Sequence, residues 1–381
     1  MPLTHRRSLS SRRPPYRDIV ASGQIYLRAR HDDLELVSCP SPHPFGAVIF
    51  HARYIAPYPE DHPRFGQTTT ELVDALRVAK VNYVIDPGTP ALTKPDIQTV
   101  WEGARLRASP MVGAVDLPLD PNALRNAKRR DRFVDDTMLL QAGAAAVVAP
   151  YLEYRLRDTD VVRRVNLAMA RRCVRSAAGQ LPVAFIQLTV AALRAGVLKQ
   201  LAPAYAATGV TRVFTRVRDL DTETASALEF GAYLDAIAAF TEFAVELVPD
   251  CVGRLGPPLV AGGAASFSTG PVNFRKVPRA LLNKSGGGGM QVFYEVAGGF
   301  HAVARGARHA SAPCFFTPCP AAARNASLED LRLHNLHVLR EESRLAASNG
   351  GAWYAARLSS SGQPHAIVWG EVLGERAQRA A

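Results

Sequence analysis

Short apolar runs alternate with longer amphipathic stretches through most of the chain. The runs are Asn82–Asp86 (NYVID), Met111–Asp116 (MVGAVD), Ala144–Tyr151 (AAAVVAPY), Val183–Thr189 (VAFIQLT), Val210–Val217 (VTRVFTRV), Phe243–Val248 (FAVELV), Pro258–Ala264 (PLVAGGA) and Gln291–Val296 (QVFYEV). Between them lie stretches with helical spacing: Pro95 to Arg107, Pro121 to Ala142, Asp158 to Ala178, 191–207, and Thr222 to Thr241. A last helix, capped by Ser327, runs to Ala347. Strands of four to eight residues alternating with helices of ten to twenty predict βαβ units and a parallel sheet. Eight such strands can close on themselves and so remove the sheet edges. A doubly wound open sheet would carry a GxGxxG turn after an early strand, whereas the first strand here ends in DPGTP. The pattern therefore predicts an α/β fold, a (β/α)8 barrel.

The flanks read differently. Residues 1–20, rich in Arg, Ser and Pro, read as a disordered basic arm. Gln24–Arg30, Leu34–Ser38 and Ala47–Tyr54 read as short strands, and a helix capped within Thr68–Thr70 leads to Lys80. This divides the chain into the arm (1–20), a β-rich extension with a lead-in helix (21–80), the barrel (81–347) and a C-terminal hairpin and tail (348–381). The hairpin rests on the alternation of WYAARL and HAIVWGEV around SSSGQP.

Composition narrows the class. No apolar run approaches the ~20 residues that span a bilayer, and Met1–Arg17 lacks the apolar core of a secretory signal, so a cytoplasmic protein with no membrane partner is expected. Five cysteines (Cys39, Cys173, Cys251, Cys314, Cys319) form no disulfide framework, and no metal site is assigned. The net charge is +11, and only six of the 45 basic residues are lysine: Lys80, Lys94, Lys128, Lys199, Lys276 and Lys284. The arm carries part of the excess and offers nucleic acid a point of attachment, the alternative being a solvated tail.

In a barrel the reacting groups stand at the C-terminal strand ends, which turns the strand assignment into a list of candidates. Asp86 and Asp116 end the first two predicted strands and, as neighbours, would divide acid and base roles or hold a divalent cation. Glu246, Glu295 and His301 are further catalytic candidates near the later strand ends. Arg212, Arg216 and Arg218 share one face of a strand by period two. Arg216 and Arg218 at its end suit an anion, or else pair with Glu246 or Asp250 on the next strand. Gly262–Gly270 (GGAASFSTG) follows the seventh predicted strand, where barrels commonly bind phosphate through backbone N–H groups. Gly262, Gly263, Ser266 and Ser268, with Arg254 nearby, are the expected binding residues. His334 and His337 lie three apart on the last helix, a spacing without the HExxH pattern. No P-loop, GxSxG elbow or CxxC pair is present.

The chain resembles the (β/α)8 superfold over roughly residues 80–347, a likeness of architecture that transfers no function. Among basic barrels, the tRNA-guanine transglycosylases use barrel-end aspartates and bind RNA. Their cysteine-and-histidine zinc site is not matched by Cys314 and Cys319, so membership does not follow. The residues point to a barrel enzyme acting on an anionic, phosphate-bearing small molecule. The alternatives are a nucleic-acid-associated protein and a non-catalytic scaffold.

Overall fold

A computed structural model of the chain describes residues 23–30, 33–38, 43–56, 63, 70–94, 112–113, 115–157, 159–270, 291–294, 299–302 and 328–380. Eight parallel strands form one sheet: β1 (Ile25–Ala29), β2 (Ala47–His51), β3 (Asn82–Asp86), β4 (Ala146–Val148), β5 (Leu181–Thr189), β6 (Arg212–Arg218), β7 (Glu246–Pro249) and β8 (Phe267–Thr269). Their order is β7-β6-β5-β4-β3-β2-β1-β8. At the open seam the Cys251 N–H donates to Ser268 Oγ and the Val252 N–H to the Ser268 carbonyl, at 2.9 and 3.1 Å. The result is a nearly closed (β/α)8 barrel.

Helices cover the outside: α1 (Leu34–Ser38), α2 (Glu71–Val78), α3 (Ala127–Leu139), α4 (Thr159–Ser176), α5 (Val190–Arg194), α6 (Val197–Ala206), α7 (Ala227–Glu242) and α8 (Gly256–Ala261). Local chemistry starts several of them. Asn126 accepts from the Arg129 N–H at the head of α3, and Ser226 with Glu229 forms a capping box on α7. Two long helices close the chain: α9 (Leu328–Ser359), broken at Gly350, and α10 (Pro364–Ala380). Trp369 of α10 is fully buried and donates its indole N–H to the Ala225 carbonyl at 2.8 Å.

Several assignments made from the sequence shift. The strands of the expected N-terminal extension, Gln24–Arg30 and Ala47–Tyr54, contain barrel strands β1 and β2, while Leu34–Ser38 is helical. Every residue of β1 and β2 is buried, as in a strand covered on both faces. Asn82–Asp86 is consequently the third strand. The described residues of Met111–Asp116 form no strand: the Val115 N–H turns back to the Val112 carbonyl at 3.1 Å. Pro258–Ala264 is largely α8, whose prolines occupy the first turn, where no N–H is required. The eighth strand is Phe267–Thr269, whereas Gln291–Tyr294 (β9) pairs antiparallel with Gly299–Ala302 (β10) in a separate ribbon. The expected C-terminal hairpin is helical, because Ala366, Trp369, Gly370 and Leu373 bury a stripe at spacings of three and four. The arm, Gly286–Gly289, Cys314 and Cys319 lie outside the described residues. Among the described residues, no helix is long and apolar enough to cross a membrane.

The lumen is layered by the period of two along each strand. Arg212 and Tyr26 come from β6 and β1, which are not neighbours in the sheet, so their 3.0 Å hydrogen bond crosses the interior. Arg212 also pairs with Glu246, opposite it in register at the N-terminal end. Above them sits an aromatic belt: Tyr26 meets Phe214 edge-on at 5.3 Å, and Tyr151 stacks on Phe185 at 4.7 Å. A polar layer follows towards the C-terminal ends.

One glycine shows how tightly that layer is built. Gly88 has φ +62°, and a Cβ there would lie 1.8 Å from His51 Nε2. Gly196, with φ +72°, has nothing within 4 Å of such a Cβ. Gly88→Ala is expected to lower stability by about 3 kcal/mol, combining left-handed strain with overpacking. Gly196→Ala should cost about 1 kcal/mol from strain alone. Denaturant titration of both variants checks the difference, and equal costs would show that the ring yields freely.

Candidate functional site

The polar layer draws one side chain from each of several strands. Arg28 comes from β1, His51 from β2, Asp86 from β3, Arg216 from β6, Asp250 from the residue after β7, and Ser268 from β8. The first five are each at most 8% exposed, and Asp86 is fully buried. Asp86 accepts from four donors. One oxygen takes the guanidinium groups of Arg28 and Arg216, the latter at 2.8 Å; the other takes the Tyr151 hydroxyl at 2.7 Å and the Gly88 N–H at 2.9 Å. Asp250 receives Arg216 through both Nε and a terminal nitrogen, at 2.8 and 2.6 Å, and the Ser268 hydroxyl. Arg28 lies 3.6 Å from its other side. Two guanidinium groups and two carboxylates thus neutralise one another, and the Arg216 guanidinium lies 4.8 Å above the Phe185 ring.

Electrostatics follow from this packing. Burial alone would raise the Asp86 carboxyl, but the charges of Arg28 and Arg216 outweigh it and hold it well below the usual value. For Asp250 the same contest between burial and the charges of Arg216 and Arg28, aided by Ser268, also ends below the usual value. Both are fixed anions rather than proton carriers near neutrality. His51 behaves oppositely. Burial first, then the positive Arg53, push its imidazole well below 6.5 despite the nearby Asp86. Its Nδ1 accepts from the Arg53 N–H at 3.2 Å, which leaves the proton of the neutral ring on Nε2. That nitrogen has no hydrogen-bond partner among the described residues.

A second polar group stands above the first. Glu153, beyond β4, receives the Gln187 amide and Arg155 Nε at 2.9 Å each, and pairs with Arg218 at 2.8 Å. Gln187 stands in register with Arg216, so the two layers adjoin through β5 and β6. The backbone beside them is strained: Asp219 and Cys251 have φ of 68° and 59°. The Cys251 thiol, 3.6 Å from Asp250, is pushed up to about 12 by burial and that carboxylate, which keeps it protonated and unreactive.

The residues singled out by sequence divide accordingly. Asp86, Arg216 and Ser268 meet in the lower layer, and Arg218 stands in the upper one. Asp116 is not the neighbour of Asp86: no strand carries it there, and its 88% exposed side chain pairs with Arg129. Glu246 lies at the opposite end of the barrel with Arg212. Arg254 follows β7 in a 3-10 turn, 3.3 Å from His365. Gly262 and Gly263 end α8, and Ser266 is buried at the approach to β8. The segment expected to be an anion loop after the seventh strand is therefore a helix end joined to the eighth strand, and its small residues serve packing. A Cβ on Gly262 would come within 2.2 Å of Leu234. His301 lies on β10, outside the barrel sheet, and Glu295 is outside the described residues. His334 and His337 lie on α9, and no group of three or more metal-ligating side chains occurs among the described residues.

Sequence reasoning missed Arg28, His51, Tyr151 and Asp250 as partners of one site. Arg28 and His51 were hidden by placing β1 and β2 outside the barrel. Asp250 was legible as a strand-end carboxylate beside Glu246 and as a pairing option for Arg216, but not as a partner of Arg28.

No protein-family model matches the chain, and no curated protein matches it. Among solved structures, the chain is similar to a probable tagatose 6 phosphate kinase from Sinorhizobium meliloti 1021. Identity is 12% over 93% of this chain and 98% of that one, with a TM-score of 0.36. Eubacterium rectale Amy13B shows 10% identity over 85% and 77%, with a TM-score of 0.37. A nitroalkane oxidase from Streptomyces ansochromogenes shows 15% identity over 94% and 98%, with a TM-score of 0.30. Likenesses this remote assign no activity.

The pH dependence of stability has two windows. Asp86 and Asp250 are depressed, so their contribution is present above the unfolded carboxyl value of 3.8 and is lost as pH falls below it. His51 is also depressed. Below 6.5 the unfolded chain takes up a proton that the folded site refuses, and stability falls with pH. His51→Gln is expected to flatten the stability profile between about pH 6.5 and 5 by up to ~1.4 kcal/mol per pH unit. An unchanged slope in urea titrations across that range would show that His51 protonates without cost. Asp86→Asn should destabilise by about 3–5 kcal/mol, since it strands two buried guanidinium groups.

Proposed function

We propose that the chain is a barrel enzyme whose small-molecule substrate binds at the C-terminal mouth and carries an anionic, phosphate-bearing group. The observation that carries this reading is the buried quartet of Arg28, Asp86, Arg216 and Asp250, gathered from four strands at the end where barrels hold their active sites. Removing four charges from water costs several kcal/mol per ion, and an apolar core would pack that space at no such cost. A charge network retained there, beside strained backbone and a neutral histidine, fits preorganised electrostatics better than stability.

The roles follow from protonation. Asp86 and Asp250 stay ionised and fix Arg28 and Arg216 in place. Arg218, one strand period above Arg216, places a third guanidinium nearer the mouth, paired with Glu153 and Asp219. His51 keeps its Nε2 proton and can donate it as a neutral hydrogen-bond donor to an oxygen that gains charge. The carboxylates act through charge and position, and proton transfer by an Asp86–Asp116 pair has no part in the proposal.

A thermal-shift screen against sugar phosphates, nucleotides, divalent cations and short RNA, at two salt concentrations, tests the reading. A phosphate ester is expected to raise Tm at both salts, by up to about 2.7 kcal/mol of stabilisation at a hundredfold excess over Kd. Arg218→Ala should weaken that response. Stabilisation by RNA alone, abolished at high salt, would overturn the proposal in favour of nucleic-acid binding.

A further inference from the structure

Beside the polar layers, the C-terminal face opens into a cleft of about 410 Å3. One wall follows β3 and includes Thr93, Leu119 and Asn122; the other is the run after β4, with Glu153, Arg155 and Arg157, ending in the first turn of α4. Its base is apolar, since Leu119 and Leu152 are buried. Its rim is polar, with Asn122, Arg155, Arg157 and Asp160 exposed.

We propose that this cleft is the substrate's phosphate and hydroxyl subsite, and that it selects a small phosphorylated polyol such as a sugar phosphate. The assignment rests on the enzyme reading of the mouth and locates the anion away from the quartet. Arg28 and Arg216 are already neutralised by Asp86 and Asp250, so they have little net charge to offer a phosphate. The cleft lining carries two guanidinium groups, Arg155 and Arg157, and two carboxylates, Glu153 and Asp160. Glu153 is already taken up by Gln187, Arg155 and Arg218. Arg157 makes no hydrogen bond or ion pair among the described residues and carries five donors that suit an anion. Asn122 and Asp160 present the acceptors and donors that hydroxyl groups require.

The size suits a small anion. A volume of about 410 Å3 is at the small end of ligand pockets, ample for a hexose phosphate. Among the described residues no aromatic side chain lines the cleft to stack on a nucleobase. The cleft is linked to the quartet through chain neighbours of its lining residues. Leu152 and Glu153 follow Tyr151, whose hydroxyl binds Asp86, and Thr89 Oγ receives the Tyr151 N–H at 2.8 Å on the segment that leads to Thr93. A phosphate held at Arg155 and Arg157 would tether a substrate whose body extends towards that layer.

Calorimetric titration of the full chain with glucose 6-phosphate, inorganic phosphate, glucose and AMP tests this. Glucose 6-phosphate and phosphate are expected to bind, with glucose 6-phosphate tighter than either glucose or AMP. The double variant Arg155→Ala/Arg157→Ala should lose at least tenfold in affinity for both, and Arg157→Ala alone should weaken both with an unchanged Tm in the absence of ligand, because that side chain is exposed. Undiminished binding by the double variant would overturn the cleft assignment while leaving the mouth reading intact. Tighter binding of AMP than of glucose 6-phosphate would overturn the polyol class. If neither phosphate compound binds the unaltered chain, both proposals fall together.

Discussion

Four charges held out of water at one end of a barrel are the constraint around which the rest of this structure is arranged. Asp86 can be buried because four donors converge on it, and Arg216 can be buried because it divides its donors between Asp86 and Asp250. Removing any member exposes its partners to a desolvation cost that nothing nearby repays. The aromatic belt beneath, with Tyr151, Phe185 and Phe214, keeps water from below and lowers the local dielectric, which strengthens every pairing above it. Gly88 and Cys251 adopt left-handed backbone beside the quartet, where the chain must turn sharply to bring an N–H or a hydroxyl contact to a carboxylate.

The same constraint sets what chemistry the mouth supports. Carboxylates held between guanidinium groups remain charged through the neutral range, and the histidine among them remains uncharged. Proton traffic is suppressed and fixed charge is favoured. At the rim the guanidinium groups are exposed, and Arg157 makes no hydrogen bond or ion pair among the described residues. The lumen and the cleft thus differ: one is dry and self-neutral, the other open to solvent.

Much of this arrangement was legible in the chain. Five of the eight barrel strands stand where apolar runs placed them, from Asn82–Asp86 to Glu246–Pro249. The even spacing of Arg212, Arg216 and Arg218 put all three on one face, and the pairing of Arg216 with Asp250 was one of the readings offered for that face. The errors have local causes. PLVAGGA and QVFYEV are as apolar as strands, but the prolines of the first start a helix, and the second pairs with its own neighbour instead of the barrel. HAIVWGEV alternates over a few residues, yet its burial repeats at three and four.

Composition and periodicity determined, without further help, that the chain forms short parallel strands with covering helices and that three arginines share one face of a strand. Those properties are local, arising from side-chain direction along a strand or helix and from turn residues at its ends. Which strands closed the barrel was decided only in three dimensions. Parallel pairing joins segments tens of residues apart, and nothing in Ile25–Ala29 names Phe267–Thr269 as its neighbour. The site inherits that non-locality. Arg28, Asp86, Arg216 and Asp250 span more than two hundred residues of chain and become one object only when the lumen brings their charges within reach.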